Sequence, residues 1–308
     1  MKKFLVTVDT EGDNLWDLDS ATVSTENVLY IPRFQELCEK YGFIPTYFTN
    51  YEMANDKRWY EYGKKKGSKG LCEIGLHIHA WNNPPEYTLE KVYGYNSYIT
   101  EYPENVMYEK ISNLKHILEK NFEVPITSCR SGRWATDERF YRVLEQCKIV
   151  VDCSETPQLD LSNLPGYGNK AGNNYRSASI YPRRIYGNLV EIPMTTRRCH
   201  YIEKGSFLHM VRTVILGNDM WLRPHKKNLN DLEYLAKRVS QERDNEYLEF
   251  MIHSSELMPG GSVYFKDSES IEELYLIMDS FFEYVKSLGY EGCGVSEFAS
   301  QWIKTQDK

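Results

Sequence analysis

Two stretches far apart in the chain decide its reading: Val6-Thr7-Val8-Asp9-Thr10-Glu11-Gly12-Asp13 near the start, and Glu73-Ile74-Gly75-Leu76-His77-Ile78-His79-Ala80-Trp81 further on. Each begins as an apolar strand and breaks into polar residues two apart. Successive side chains of a strand point to opposite faces, so Asp9, Glu11 and Asp13, like His77 and His79, share a face while the backbone stays extended. Carboxylates and imidazoles gathered at strand ends are the donors a divalent metal takes. If the two ends meet, the chain is a metal-dependent hydrolase.

Outward from these stretches, elements alternate. Glu26 to Tyr41 carries apolar residues at helical spacing (Val28, Ile31, Phe34, Leu37, Cys38) and stops at Gly42, a natural helix end. A strand follows over Phe43–Phe48, a loop leads to the strand Leu71–His79, and Val106–Leu118 has the spacing of a second helix. Pro125–Arg130 reads as a strand end, Glu138–Cys147 as a helix and Ile149–Cys153 as a buried strand. The stretch Pro157 to Pro193, rich in Gly, Asn, Pro and Tyr, reads as a long excursion with short strands. Helices resume near Phe207–Leu216 and Leu229–Arg243, followed by the strand Leu248–His253, the helix Ile271–Leu288 and a short strand near Tyr290–Val295. Strands alternating with helices imply a parallel sheet with helical crossovers, whose active sites assemble at the strand ends. The clusters Asp9–Asp13, His77–His79, Arg130–Arg133, Asp152–Ser154 and His253–Glu256 all fall just after expected strands.

Composition narrows the function class. A net charge of −7 argues against a nucleic-acid partner, which calls for a basic face. The runs Lys64-Lys65-Lys66 and His225-Lys226-Lys227 read as solvated loop surface. Seven cysteines are an odd number without a C-x-x-C pair, which argues against a disulfide framework or a zinc knuckle and for a reducing compartment. The 24 tyrosines suit either half-buried packing or a sugar groove. The apolar run at the start breaks at Asp9, too soon for a signal peptide, and no run reaches the roughly 20 apolar residues of a membrane span. We therefore expect a soluble, cytoplasmic protein of one domain over residues 1–308. No G-x-S-x-G elbow, G-x-G-x-x-G loop or P-loop occurs.

The ordered motifs Val8-Asp9-Thr10-Glu11, Glu73-Ile74-Gly75-Leu76-His77, Cys129-Arg130-Ser131-Gly132, Val151-Asp152-Cys153-Ser154 and Met251-Ile252-His253-Ser254-Ser255 span nearly the whole chain. As a set they resemble the polysaccharide deacetylase family, the metal-dependent carbohydrate esterases that remove acetyl groups from glycans. The resemblance implies an α/β fold, an irregular (β/α)7 barrel. It assigns Asp9 as general base, Glu11 as metal carboxylate with Asp13 as a second candidate, and His77 as a metal ligand. Arg130 would hold Asp9 ionised, His253 would be the general acid, and Asp152 would orient it. The family's second metal histidine lies four residues after the first; that position is Trp81 here, and His79 stands in as the third ligand. The family's proline after the arginine is also absent, with Gly132, Arg133 and Trp134 in its place.

The expected reaction is deacetylation of an N-acetylated sugar with a divalent metal, zinc being the expected ion. The expected substrate is an acetylated sugar, oligosaccharide or lipid-linked glycan precursor. Two alternatives stand beside it. One is a hydrolase of the same fold cleaving another C–N bond, such as a cyclic amide. The other is a lapsed, metal-free sugar-binding protein. Trp221-Leu222-Arg223-Pro224-His225 and Arg197-Arg198-Cys199-His200 are further candidates for gripping substrate, since Arg offers a fork of donors and Trp a stacking face.

Overall fold

Strand β1 (Lys3–Thr10) shows how the fold sorts its side chains. Its even positions Phe4, Val6 and Val8 join the core between sheet and helices, whereas Leu5 belongs to a second apolar cluster inside the curled sheet. Asp9 shares the parity of Leu5, and so faces the interior. The computed structural model describes residues 2–13, 23–169, 172–200, 217–225, 228–242 and 247–306.

Parallel strands β2 (Pro45–Thr49), β3 (Glu73–Ile78), β4 (Ser128–Ser131), β5 (Val151–Asp152) and β7 (Leu189–Glu191) continue from β1 on one side, and β10 (Tyr247–His253) flanks it on the other. These seven parallel strands form the body of the curled sheet, in keeping with the expected (β/α)7 architecture. A hairpin strand β6 (Arg183–Tyr186) runs antiparallel to β7 and forms the sheet edge. The hairpin β8 (Thr196–Cys199) and β9 (Asn218–Trp221) lies at the seam between β7 and β10. There the Glu249 amide donates to Thr195 Oγ1 at 2.8 Å and the Met251 amide to the Leu222 carbonyl at 3.0 Å. These bonds satisfy backbone groups that an open edge would leave unpaired.

Helices α1 (Ile31–Lys40), α2 (Tyr51–Asn55), α3 (Lys57–Gly67), α4 (Glu104–Phe122), α5 (Glu138–Gln146), α6 (Leu229–Ser240) and α7 (Ser268–Ser287) follow the strands. Residues such as Phe34, Trp59, Leu114, Phe140, Leu235 and Phe281 bury themselves against the sheet's outer face. The expected helix from Glu26 to Tyr41 is divided: Glu26–Leu29 forms a 3-10 turn, and α1 begins at Ile31 with proline in its first turn. Where the sequence suggested a loop before Leu71, the structure has α2 and α3. Lys64–Lys66 form the last turn of α3, where cations meet the negative end of the helix dipole. The expected helix Phe207–Leu216 lies outside the described residues.

The structure adds α8 (Val295–Gln306) after the short strand β11 (Glu291–Gly292), which pairs with β1. Its residues Val295, Phe298, Ala299, Trp302 and Ile303 recur at helical spacing and plug the barrel bottom against Leu5, Phe48, Val151 and Tyr247. Glu73 receives the Ser296 amide at 3.0 Å and the Ser296 hydroxyl at 2.7 Å, placing an anion at the start of that helix. With apolar residues filling the bottom, the polar strand ends are left to form the opposite mouth.

Candidate functional site

Strand register brings the expected residues together. Asp9 lies beside His253 on β10, and His77 on β3 lies beside Arg130 on β4. Gly75 makes this interior possible, because a Cβ there would sit 2.6 Å from the Phe48 ring and 2.8 Å from Ser128 Oγ. Phe48 in turn lies under the Arg130 guanidinium, 4.5 Å from carbon to ring centre. Arg130 is fully buried and donates through Nη1 to Asp9 Oδ1 at 2.7 Å, through Nε to the Cys153 carbonyl at 3.0 Å, and through Nη2 to Glu249. Burial raises the Asp9 carboxyl, but Arg130, His77 and His253 outweigh it and hold the group below its usual range.

Glu11, His77 and His79 converge, all buried, with potential ligand atoms within 4.8 Å of one another. His79 Nε2 lies 3.0 Å and His77 Nε2 3.4 Å from Glu11 Oε2. His77 Nδ1 lies 3.0 Å from the Arg130 carbonyl, which accepts from it and leaves Nε2 with a lone pair toward Glu11. Burial raises the Glu11 carboxyl, and His253, His77 and His79 pull it well below its usual range. Burial lowers both imidazoles; Asp9 and Glu11 reverse this for His77, which ends raised, whereas His77 adds to it for His79, which ends lowered. Neither Glu11 carboxylate oxygen has a hydrogen-bond donor among the described residues. A buried carboxylate facing two imidazole nitrogens is the hard-and-borderline donor set that a divalent metal ion satisfies, so these residues fit such an ion.

Asp13, the second metal candidate, is occupied otherwise. It accepts from the Glu26 amide at 2.7 Å and the Asn27 amide at 2.9 Å, and also from Ser24 Oγ and Asn27 Nδ2. It therefore caps the Glu26–Leu29 turn.

Asp152 departs from its expected role. The carboxylate beside His253 is Glu256, whose Oε2 lies 3.3 Å from His253 Nδ1 and accepts the His253 amide at 2.9 Å. Strand parity explains the exchange. Asp152 pairs with Cys129 and with Glu191, and Cys129 belongs to the core outside the sheet, whereas Val151 and Val190 belong to the inner cluster. Asp152 and Glu191 thus oppose each other on the outer face, with Ser154 Oγ donating to Asp152 at 2.6 Å. Burial pushes Asp152 up to about 7 and Glu191 well above its usual range, the Asp152 charge adding to the push on Glu191.

His253 Nε2 faces Asp9 Oδ2 at 3.9 Å and Glu11 Oε1 at 3.7 Å. Arg223 Nη2 donates to His253 Nδ1 at 2.9 Å and reaches Glu256 Oε1 at 3.2 Å. Because Arg223 can only donate, Nδ1 of the neutral ring accepts and the ring proton sits on Nε2, aimed at the carboxylates. Burial raises Glu256, but Arg223 and then His253 bring it down to about 2.

The converging groups form the floor of a cavity of about 890 Å3 walled by Trp134, Trp221, Leu161, Leu164 and Tyr264. That volume is within the usual range for small-ligand sites. Arg133 and Trp134 are consecutive non-glycine residues at φ 57° and 60°, a conformation that costs on the order of 1–3 kcal/mol each. Arg133 anchors the turn by donating to the Asn96 carbonyl and, at 2.9 Å, to the Pro165 carbonyl, and by stacking 4.0 Å over Tyr98. The turn presents Trp134 edge-to-face with Trp221 at 6.0 Å. Arg197 and Arg198 do not join this wall; they pair with Glu242 and Asp219 at 2.7 and 2.9 Å.

Sequence reasoning missed Glu249 and the role of Glu256. Glu249 interrupts the apolar strand Leu248–Ile252 two and four residues before Met251 and His253, a parity that puts its charge on their face. Glu256 follows His253 by three residues, the spacing of a reciprocal cap at a helical turn.

The sequence matches no family model and no curated protein. Solved structures do share its fold. A protein from Mycobacterium smegmatis assigned as a polysaccharide deacetylase aligns over 100% of this chain and 92% of its own, at 14% identity and a TM-score of 0.58. The 4-alpha-glucanotransferase of Thermococcus litoralis aligns over 98% of this chain and 38% of its own, at 11% identity and a TM-score of 0.53. The chain therefore has the curled, parallel-stranded α/β fold of the polysaccharide deacetylases, as its motifs suggested. Two different chemistries carried by similar folds mean that the reaction must be argued from the site.

Proposed function

We propose that this protein is a metal-dependent deacetylase of an N-acetylated sugar in a glycan or glycan precursor. The observation that carries the reading is the convergence of Glu11, His77 and His79 at one cavity floor, with Asp9 and His253 beside them. A divalent ion bound by these three residues, zinc in our reading, would act as a Lewis acid toward the acetyl carbonyl and acidify a bound water.

The chain's own groups supply the proton traffic. Asp9, kept ionised by Arg130, accepts the proton of the attacking water. To act as the acid, His253 is the imidazolium, with Glu256 Oε2 accepting from Nδ1 and the Nε2 proton facing the same space; giving that proton to the departing amine leaves a neutral ring. Arg223 and Glu256 hold the imidazole in that orientation. Trp134 and Trp221 offer aromatic faces of the kind that pack against sugar rings.

A cytoplasmic glycan precursor is the substrate class we favour. All seven cysteines are unpaired and buried, as in a reducing compartment, and among the described residues no helix is long and apolar enough to cross a membrane.

The test is metal content by elemental mass spectrometry for wild type and His77→Ala, together with acetate release from N-acetylglucosamine oligomers. Near-stoichiometric zinc that is lost in the variant, with acetate released by wild type, supports the reading. Wild type that stays at background after incubation with zinc sinks it and favours the sugar-binding alternative. Metal binding without acetate release, combined with cleavage of small cyclic amides, would move the assignment to the other C–N hydrolases.

A further inference from the structure

We propose that Trp81 is a positioning residue for His79, a stacked wall that aims the imidazole at the metal position where no hydrogen bond does so. The inference rests on the reading of Glu11, His77 and His79 as a metal centre.

The two histidines are held in different ways. A ligand imidazole ordinarily has its orientation and tautomer set by a hydrogen bond at its second nitrogen. His77 has that bond, from Nδ1 to the Arg130 carbonyl. His79 Nδ1 is buried and has no hydrogen-bond partner among the described residues. What confines the His79 ring is packing. The Trp81 ring lies 4.4 Å from it, tilted by only 19°. Gly132 borders the ring, and a Cβ there would fall 2.4 Å from His79 Cδ2 and 3.1 Å from Nε2. The ring therefore stands in a slot with an indole face on one side and a bare glycine at its border, its Nε2 3.0 Å from Glu11 Oε2.

The stack also suits a liganded ring. When Nε2 gives its lone pair to a cation the imidazole becomes electron-poor, and the electron-rich indole face attracts it more strongly. Trp81 thereby supplies from the side the support that a carbonyl supplies to His77 end-on.

The experiment measures zinc affinity of the full chain by competition with a chromophoric chelator, for wild type, Trp81→Ala, Trp81→Leu, Trp81→Phe and Gly132→Ala. Cobalt-substituted samples give the ligand-field spectrum, and urea unfolding of the metal-free proteins reports folding separately. Loss of support around a ligand histidine weakens metal binding about 10- to 100-fold. Trp81→Ala and Trp81→Leu are expected to lose at least about 10-fold on that scale and to alter the cobalt bands, while Trp81→Phe stays close to wild type. Leu fills space without an aromatic face, so it separates stacking from bulk. Gly132→Ala, with its Cβ against His79, should bind weakly as well. Wild-type affinity and an unchanged cobalt spectrum in Trp81→Ala and Trp81→Leu would overturn the proposal and leave the centre standing. Wild type without zinc affinity overturns both the centre and this proposal.

Discussion

Arg130 Nη1 and Asp9 Oδ1 meet at 2.7 Å with both side chains buried, and the same guanidinium reaches Glu249 through Nη2. One fixed positive charge is thus shared by two carboxyl groups. Burial pushes Glu249 up to about 7 with Arg130 pulling against it, while Asp9 ends below its usual range. Arg130→Met should destabilise the protein by about 3–5 kcal/mol, because it leaves buried carboxylates without their counter-charge. Arg130→Lys should recover only part of that, since one ammonium cannot reproduce a planar fork. Urea unfolding at neutral pH measures both; a loss under about 1 kcal/mol for Arg130→Met would contradict this account.

The Asp152–Glu191 pair makes stability depend on pH with a definite sign. Asp152 moves from 3.8 to about 7 on folding, and Glu191 moves in the same direction. Over that window the folded state keeps a proton that the unfolded chain has released. The contribution is complete below 3.8 and is lost as pH rises through about 7. At 1.36 kcal/mol per unit, the loss across the window is on the order of 4 kcal/mol for Asp152 alone, and Glu191 adds to it in the same direction. Asp152→Asn should flatten the fall of melting temperature with rising pH. Glu249 and Glu52, also raised to about 7 by burial, leave a remaining slope. An identical slope in wild type and variant would rule the pair out as its source.

Asp13 separates a cap from a ligand. Asp13→Ala removes acceptors from the Glu26 and Asn27 amides and should cost about 1–2 kcal/mol of stability. Zinc affinity should stay within about threefold of wild type, well short of the loss expected for a ligand or its support. A zinc titration beside a melting curve decides the matter, and a tenfold weaker site would make Asp13 a ligand.

Glu256 and Asp152 make competing predictions for His253. On an acetylated sugar, His253→Ala should lower kcat by about 10²–10⁴, the usual contribution of a general acid. Glu256→Gln disturbs the Arg223–His253 arrangement and should lower kcat about tenfold or more with little change in KM. Asp152→Asn, on the other face of the sheet, should change kcat less than about threefold. The reverse ranking would restore Asp152 to the role its motif suggested.

Much of this site is legible in the chain because strand parity is a local property. Asp9, His77 and Arg130 each follow apolar residues of opposite parity, and His253 ends an apolar strand. Glu11 and His79 continue the spacing just beyond β1 and β3. The resemblance, not parity, sets Asp152 beside His253, while its pairing with Cys129 and Glu191 turns it outward. Helices α2 and α3 escaped notice because their short apolar pattern is interrupted at Asn55–Lys57, where Asp56 caps the second helix.

By itself the sequence determined the alternation of strands and helices, the sheet class and most of the polar residues that meet at the cavity floor. These follow from hydrophobic periodicity and residue type, which are read within a few turns of chain. Only the tertiary structure decided which carboxylate serves His253, that Asp13 caps a turn, that Glu249 shares Arg130, and that His79 stands against Trp81. Each of these is a contact across strands or loops, set by sheet register and packing to a fraction of an ångström, and no local pattern encodes distances on that scale.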